Sequence, residues 1–276
     1  MALPKINQPL FEIEIPSTGR KVKYRPFTVK EEKILLFAQE SKDLDQIILA
    51  ISQIVTNCLQ DVSDSILDKL AIFDLEYLLI NLRAKSVSDE IDFNIKDPDT
   101  EEVVELSLDL SDIEIKNNDD HKKVIPVNED ISIVMSYPKL NQLRALSNIG
   151  DAGEYSAIEE MEEKLKTSEL SKKENADLNK ELAEMKRAYR LKTDQALFDT
   201  MIDCIESVVE GENVYNLAEF SKQEIDDFVE SLSSKDVESI KKFFDTMPKL
   251  RYEKKYKLED GSEKTFVAEG TETFFI

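Results

Sequence analysis

The chain has 276 residues, with 58 acidic and 36 basic side chains, and its formal net charge is −22. This excess of carboxylates argues against nucleic-acid binding, because neutralising phosphates requires a surplus of Lys and Arg. A hydrophobic content of 41% is sufficient for a packed core. No apolar run approaches the roughly 20 residues of a membrane span, and the N-terminus lacks the apolar segment of a signal peptide.

The residue types and motifs of most catalytic sites are rare or missing. Neither GxGxxG, GxxxxGK[ST] nor GxSxG occurs, and His121 is the one histidine. His121 stands in a polar loop, so we expect an exposed loop residue rather than a metal ligand. Cys58 and Cys204 are far apart on apolar helix faces, which indicates buried free thiols in a reducing compartment. We therefore expect no enzyme, cofactor or metal, although a cell-wall hydrolase with a Glu/Asp pair stays an alternative among 58 acids.

The N-terminal segment predicts a β-hairpin. Apolar and acidic residues alternate from Leu10 to Ile15, and basic and apolar residues alternate from Lys21 to Tyr24. The turn residues Pro16–Gly19 separate the two strands. We expect an antiparallel register that places the acidic residues opposite the basic ones.

A strand-to-helix corner follows at Arg25-Pro26-Phe27. Pro26 ends the strand, and Thr28 with Glu31 fits a capping box at the start of a helix whose apolar run is 34–38. Two interpretations stay open for this corner. It is a purely structural joint, or Arg25 and Lys30 project from it to bind an acidic partner.

Three helices are predicted next, over about 43–58, 63–70 and 74–86, with Asp74 capping the third. From 88 to 120 the hydrophobic period changes to two, which predicts strands with a turn at 97–99. This span holds 13 acids against Lys96 and Lys116. A solvated sheet face is the expected reason for this charge, with a Ca²⁺ site as the alternative, although the span has no EF-hand spacing. Another strand is predicted at 131–137 and a short helix at 140–149.

The second half of the chain is mostly helical in its pattern. A helix is predicted over 155–167 and a longer one over 171–210, roughly 60 Å in length. Their thin apolar seam favours a protruding helical hairpin, with pairing to a partner helix as the alternative. Capped helices follow near 221–230 and 234–247, and a β-hairpin spans 251–268. The apolar tail 274–276 should dock on this chain or on a neighbour.

These elements predict an α+β fold. It contains an N-terminal β-hairpin and helical core, a small antiparallel β region, a long helical hairpin, and C-terminal helices with a β-hairpin. We place the boundaries at 1–150 for the hairpin, helical core and acidic β region, 151–196 for the charged helical insertion, and 197–276 for the C-terminal elements.

Several sequence blocks resemble one known family. LPKINQPLFEIEIPSTGRKVKYRPFTVKEEKILLFAQES, at Leu3–Ser41, is similar to the N-terminus of baseplate hub subunits of T4-like tailed phages. The resemblance continues at DLEYL (Asp74–Leu78) and LRAKSV (Leu82–Val87). Shorter matches occur at 118–121, 135–138, 212–216, 243–250 and the terminal Phe274-Phe275. It covers most of the chain except about 151–195.

The resemblance implies a non-enzymatic structural component of a contractile-tail baseplate hub. Such a protein is made in the host bacterial cytoplasm and binds other hub, wedge, baseplate or tail proteins, or alternatively the tape-measure protein. The alternative is a transient assembly chaperone for the hub or the tape-measure protein, absent from the mature virion. Some related hairpins carry Cys pairs that resemble zinc ribbons. The corresponding strands here have no cysteine, so we expect no zinc and hairpins held by packing alone.

The resemblance also favours a partner contact at the corner. The predicted partner-binding residues are basic, aromatic or apolar side chains near the corner, the end of the third helix, and the C-terminus: Tyr24, Arg25, Pro26, Phe27, Lys30, Arg83, Lys85, Phe274, Phe275 and Ile276. We expect no nucleic acid and no membrane as partners. The helices of 155–210 are a candidate surface for homo-oligomerisation.

Overall fold

A computed structural model describes residues 6–41, 44–60, 64–97, 99–147, 152–167 and 171–269. Within them the chain divides into two compact units. The first is drawn from 1–42, 46–121 and 246–276, and the second from 43–45 and 122–245. The domain boundaries expected at residues 150 and 196 stay a prediction.

The elements of the first half, in chain order, are β1 Phe11–Ile15, β2 Arg20–Tyr24, α1 Val29–Ser41, α2 Leu44–Cys58, β3 Leu59–Gln60, a 3-10 helix Asp64–Lys69, α3 Ile72–Ser86, β4 Glu90–Lys96, β5 Val103–Asp109, a 3-10 helix Leu110–Asp112, β6 Glu114–Lys116, β7 Val124–Pro126 and β8 Ile131–Met135. Those that follow are α4 Leu140–Ser147, α5 Ala152–Thr167, α6 Lys172–Asp203, β9 Ile205–Glu210, β10 Asn213–Asn216, a 3-10 helix Leu217–Glu219, α7 Lys222–Glu230, α8 Ser234–Thr246, β11 Lys249–Lys257 and β12 Glu263–Glu269. Helices and small antiparallel sheets confirm the α+β class. No helix in the described ranges is long and apolar enough to cross a bilayer.

The N-terminal β-hairpin has the predicted register. β1 and β2 are antiparallel, with Glu12 opposite Lys23 and Glu14 opposite Lys21. The alternate residues are buried, and β3 adds a third strand beside β2. Gly19 adopts a φ of +68°, a value that favours glycine, and so permits the tight turn.

Asp74 connects this hairpin to α3. Its side chain is fully buried and accepts hydrogen bonds from Ser17 N (2.8 Å), Ser17 Oγ (2.5 Å) and Ala71 N (2.9 Å). Asp74 caps the helix as predicted, but it does so from the third helical position, because α3 already begins at Ile72. The carboxylate acts from inside the first turn and satisfies the N–H of the preceding Ala71.

Two further β-hairpins of the first unit, β4–β5 and β11–β12, share an apolar cluster. Leu106, Tyr256 and Leu258 are buried there, and the Phe93 and Phe266 rings lie 5.1 Å apart. β11 also pairs with β6, which adds a third strand to its sheet.

A buried polar network lies beside that cluster. The Asp97 side chain is fully buried and accepts from Lys264 Nζ at 2.7 Å, Tyr256 Oη at 2.9 Å and Thr100 N at 3.0 Å. The hydrogen bond from Lys264 is the largest influence on Asp97 and lowers the pKa of its carboxyl group. The expectation that packing alone holds these hairpins is therefore wrong, because an ion pair joins residues 167 positions apart.

The second unit is built on a four-stranded antiparallel sheet of order β10-β9-β8-β7. Its core contains Ile133, Met135, Cys204, Ile240 and Phe243.

The two cysteines, Cys58 in the first unit and Cys204 in the second, are both free and buried, as predicted.

The predicted helix over 171–210 is too long at its C-terminal end. α6 ends at Asp203, and Ile205–Glu210 forms strand β9. The β-branched residues of this strand favour extended backbone, and Ile133 pairs with Val208. Gly211, with a φ of +57°, then turns the chain into β10.

α5 and α6 pair with each other within the chain. The Tyr155 and Tyr189 rings lie 6.0 Å apart, Lys192 Nζ is 3.0 Å from Glu154 Oε2, and Ile158 is buried. Of the two alternatives for these helices, self-pairing is the one that the structure contains. At 32 residues α6 is about 48 Å long.

The helix caps near the C-terminus agree with the sequence to within one residue. Ser221 and Glu224 form the predicted capping box before α7. The cap of α8 lies one residue earlier than expected, since Ser233 rather than Ser234 pairs with Asp236.

Replacing Asp74 with Ala should lower the free energy of unfolding by about 2–4 kcal/mol, because buried N–H groups lose their acceptor. Asp92→Ala on the exposed face of β4 is the matched control, with a change within about 0.5 kcal/mol. Denaturant titration of both variants measures the difference. Equal stability of the two would contradict the role given to Asp74.

Replacing Lys264 with Met should lower the melting temperature by several degrees, because the buried Asp97 carboxylate loses its cation. Lys257→Met removes an exposed ion pair to Glu263 in the same hairpin and should have little effect. Thermal unfolding followed by circular dichroism compares the variants. If the Lys264→Met variant has the same melting temperature as the wild type, packing alone is sufficient to hold the two hairpins together.

Candidate protein-binding surface

The corner between β2 and α1 is organised around Glu31. This side chain is 2% exposed, and its carboxylate accepts hydrogen bonds from Arg25 Nη2 (3.0 Å), Thr28 N (2.9 Å) and Thr28 Oγ1 (2.6 Å). Glu31 thus makes the predicted contact with Thr28 and adds a salt bridge to Arg25. The burial of a charge is tolerated here because each oxygen has a donor.

Arg25 is used within the chain. Its Nη1 also donates to the Pro26 carbonyl at 2.9 Å, and its backbone N–H donates to the Cys58 carbonyl at 2.9 Å. The side chain is 23% exposed. Arg25 therefore stabilises the corner through contacts within the chain. A direct role in binding a partner stays a prediction.

The electrostatics of the corner follow from these contacts. Burial alone would raise the pKa of Glu31, but the hydrogen bonds from Arg25 and Thr28 outweigh it and lower the pKa to about 2. The hydrogen bond to Glu31 raises the pKa of Arg25. Burial raises the pKa of the neighbouring Cys58 thiol to about 11, so this cysteine stays protonated at neutral pH.

The other predicted site residues of the corner differ in exposure. Tyr24 and Pro26 are buried, and Phe27 is half-buried with its N–H bonded to Ser86 Oγ at 2.9 Å. Lys30 is exposed on α1. The structure thus brings the five corner residues together, and of these Lys30 is the one that is exposed.

The remaining predicted residues lie elsewhere in the chain. Arg83 is half-buried near the end of α3, and its Nε has no hydrogen-bond partner among the described residues. Lys85 is exposed on the same helix. Phe274, Phe275 and Ile276 lie outside the described residues.

The outer face of α1 carries exposed apolar side chains that the sequence patterns did not assign. Val29, Leu36 and Phe37 are 66%, 53% and 69% exposed, respectively, whereas Glu31 and Ala38 are buried. On a helix of 3.6 residues per turn, Val29, Leu36 and Phe37 lie opposite Glu31 and Ala38. The helical spacing of these residues was the sequence signal that could have identified this face.

We call Val29, Leu36 and Phe37, with the exposed cations Lys30 and Lys33, the α1 face. Adjacent exposed apolar side chains with charged neighbours are typical of protein interaction sites. Within the described ranges no three His, Cys, Asp or Glu side chains are placed to hold a metal ion. The fold and this surface define an α+β protein with an exposed apolar helix face.

Comparison with known families identifies the chain more closely. The model of the T4 bacteriophage base plate protein family matches residues 8–276. The chain belongs to this family and is a phage baseplate protein. No curated protein and no solved structure matches the chain. Membership in the family implies a place in the tail baseplate and interaction with other phage tail or baseplate proteins.

Replacing Arg25 with Ala should lower the free energy of unfolding by about 1–3 kcal/mol, because Glu31 is left buried without its cation. Lys30→Ala is the control at the same corner, and its side chain is exposed, so a change within about 0.5 kcal/mol is expected. Denaturant titration measures both. If Arg25→Ala leaves stability unchanged, Arg25 is free for a partner.

The depressed pKa of Glu31 predicts a loss of stability in acid. A carboxylate with a pKa lowered from 4.5 to about 2 contributes stability that is fully present above pH 4.5 and is lost as the pH falls through about 2. The Glu31→Gln variant should be less stable at neutral pH and show a shallower decline over this range. Unfolding measured between pH 5 and pH 2 tests this, and parallel curves for the two proteins would contradict it.

Proposed function

We propose that this baseplate protein is a non-enzymatic structural component of the baseplate hub of a contractile phage tail. It acts by binding other hub, baseplate or tail proteins during tail assembly, with the tape-measure protein as one candidate partner. It assembles in the host bacterial cytoplasm and is retained in the virion baseplate.

The α1 face is the observation that supports binding through a surface. Burying an exposed side chain such as Leu36 or Phe37 against a partner stabilises a complex by about 1.5–3 kcal/mol before the costs of association. Lys30 and Lys33 lie beside the exposed acids Glu32 and Glu40 of the same helix, so a partner would meet charges of both signs around the apolar side chains. The corner residues Arg25 and Phe27 position this face, and Lys30 is the predicted site residue best placed to touch a partner.

Anchoring of α1 also supports the proposal. Glu31 attaches the first turn of the helix to Arg25, whose backbone is bonded to Cys58 at the end of α2. Phe27 is bonded to Ser86 at the end of α3. A face held in place before binding loses less conformational entropy on association, so its affinity is higher for the same contacts.

A transient assembly chaperone is the second candidate function. The net charge of −22 and the exposed, charged helices α5 and α6 support it, since a self-repelling surface keeps a carrier soluble. In this case the protein would bind the same hub or tape-measure partners and leave before maturation.

Two further interfaces stay predictions. Homo-oligomerisation through the helices of 155–210 would use side chains that the α5–α6 pairing leaves outward, such as Leu191, which is 60% exposed. The tail residues 274–276 would add an apolar anchor on this chain or a neighbour.

Quantitative mass spectrometry of purified tails and of baseplate assembly intermediates separates the two functions. A hub component should be present in both at a constant ratio to other baseplate proteins. Presence in intermediates together with absence from tails would favour the chaperone.

Variants of the α1 face test the surface itself. Leu36→Ser with Phe37→Ser should weaken incorporation into baseplates at least about tenfold, equivalent to about 1.4 kcal/mol of binding, without destabilising the fold. Val103→Ser, which changes a side chain 64% exposed on β5, is the matched control. Normal incorporation of the double variant would exclude the α1 face as the binding surface.

A further inference from the structure

A second candidate docking surface lies on the second unit, on the sheet beside α7. A cavity of about 310 Å³ opens there. Its apolar lining comes from strands β8, β9 and β10, the short 3-10 helix and α7: Ile131, Val208, Tyr215, Leu217, Phe220, Ile225 and Phe228. Tyr215 and Phe220 are 38% and 40% exposed, so the cavity reaches solvent beside two aromatic rings.

The surroundings of this cavity are strongly acidic. Between 205 and 232 the sequence has eight carboxylates against the single cation Lys222. Glu210 and Glu224 line the cavity itself. In the part of the chain that the structure describes, none of the eight forms a salt bridge; they are Glu206, Glu210, Glu212, Glu219, Glu224, Asp226, Asp227 and Glu230. Their charge is therefore available to attract a cationic partner.

A more polar cavity of about 390 Å³ adjoins the first, because Leu217 and Ile225 line both. Lys139, Asp203 and Glu206 belong to its lining. Burial and the nearby Asp199 raise the pKa of Asp203, against a smaller effect of Lys222. A cation bound at this cavity would relieve the repulsion between the carboxylates of Asp199 and Asp203.

We infer that the paired cavities bind a peptide segment of another phage protein that carries an apolar side chain with Lys or Arg close to it in sequence. The apolar side chain fills the cavity beside Phe220 and Tyr215, and the cation lies against Asp203 and Glu206. This inference deepens the proposed function, on which it rests, because it gives the chain a second partner-binding surface and the chemistry of its ligand.

The negative charge of the chain disfavours two other ligands of these cavities, a second copy of the chain and an anionic lipid surface. A second copy of the chain carries the same net charge of −22, so long-range repulsion opposes its approach even though its α1 face combines apolar side chains with Lys30 and Lys33. An anionic lipid surface would be repelled for the same reason. A basic, apolar peptide is favoured by both the cavity and its charge.

Photo-crosslinking in assembled baseplates tests the inference. Benzoylphenylalanine replaces Phe220 in one phage, Phe37 in a second and Val103 in a third, and crosslinked peptides are sequenced by mass spectrometry. We expect position 220 to crosslink to a segment of a different protein that holds an apolar residue and Lys or Arg, and position 103 to give no specific product. An acidic segment, a second copy of this chain, or no product at position 220 would overturn the inference.

The position 37 crosslink separates the two proposals. A product at 37 without one at 220 rejects the groove and keeps the α1 face. The absence of products at both positions, in particles that contain the protein, rejects binding through either surface.

Charge-reversal variants give an independent readout. Glu206→Lys with Glu210→Lys should lower the crosslink yield at position 220 about fivefold or more and leave the yield at 37 unchanged. Glu181→Lys with Glu184→Lys on the exposed face of α6 makes the same change in net charge away from the cavities. An equal loss in both double variants would show that overall charge, and not the groove, controls binding.

Discussion

The burial of one carboxylate, Glu31, fixes the geometry on which the proposed binding surface depends. A buried carboxylate must keep its hydrogen-bond donors, so the first turn of α1 cannot rotate away from Arg25 and Thr28. Because Glu31 points inward, helical geometry makes Val29, Leu36 and Phe37 point outward. Exposure of these side chains is therefore a consequence of the polar corner rather than of loose packing. The same contact stabilises the fold and presents the surface.

Buried acids recur as connectors in the first unit. Asp74 joins the β1–β2 turn to α3, and Asp97 joins the β4–β5 hairpin to β11–β12 through Tyr256 and Lys264. In each case a carboxylate accepts at least three hydrogen bonds, which offsets the cost of its burial. The large negative charge thus has two uses. A few acids organise the interior, and many others stay on the surface, where their mutual repulsion opposes self-association.

Local patterns predicted much of this fold, whereas long-range contacts were beyond them. The alternation of apolar and charged residues predicted the β1–β2 register, and the Ser221 capping box predicted the start of α7, since both features depend on residues close in sequence. The predicted end of α6 was wrong because Ile205 and Val208 fit both a helical spacing and a strand. Pairing with β8, which the local pattern does not contain, determines that they form a strand. The Asp97–Lys264 contact spans 167 positions without a local signal. At the candidate site the corner was located from the sequence, whereas the salt bridge from Arg25 to Glu31 and the outward side of α1 were missed. A partner contact through Arg25 stays a prediction.

Hydrogen–deuterium exchange on the free protein and on assembled baseplates tests the central claim most directly. If the α1 face is the binding surface, the amides of α1 should exchange more slowly in the baseplate. The amides of the β4–β5 hairpin, which lies outside the α1 face, should exchange at the same rate in both states. Unchanged exchange across α1, in baseplates that contain the protein, would contradict the account.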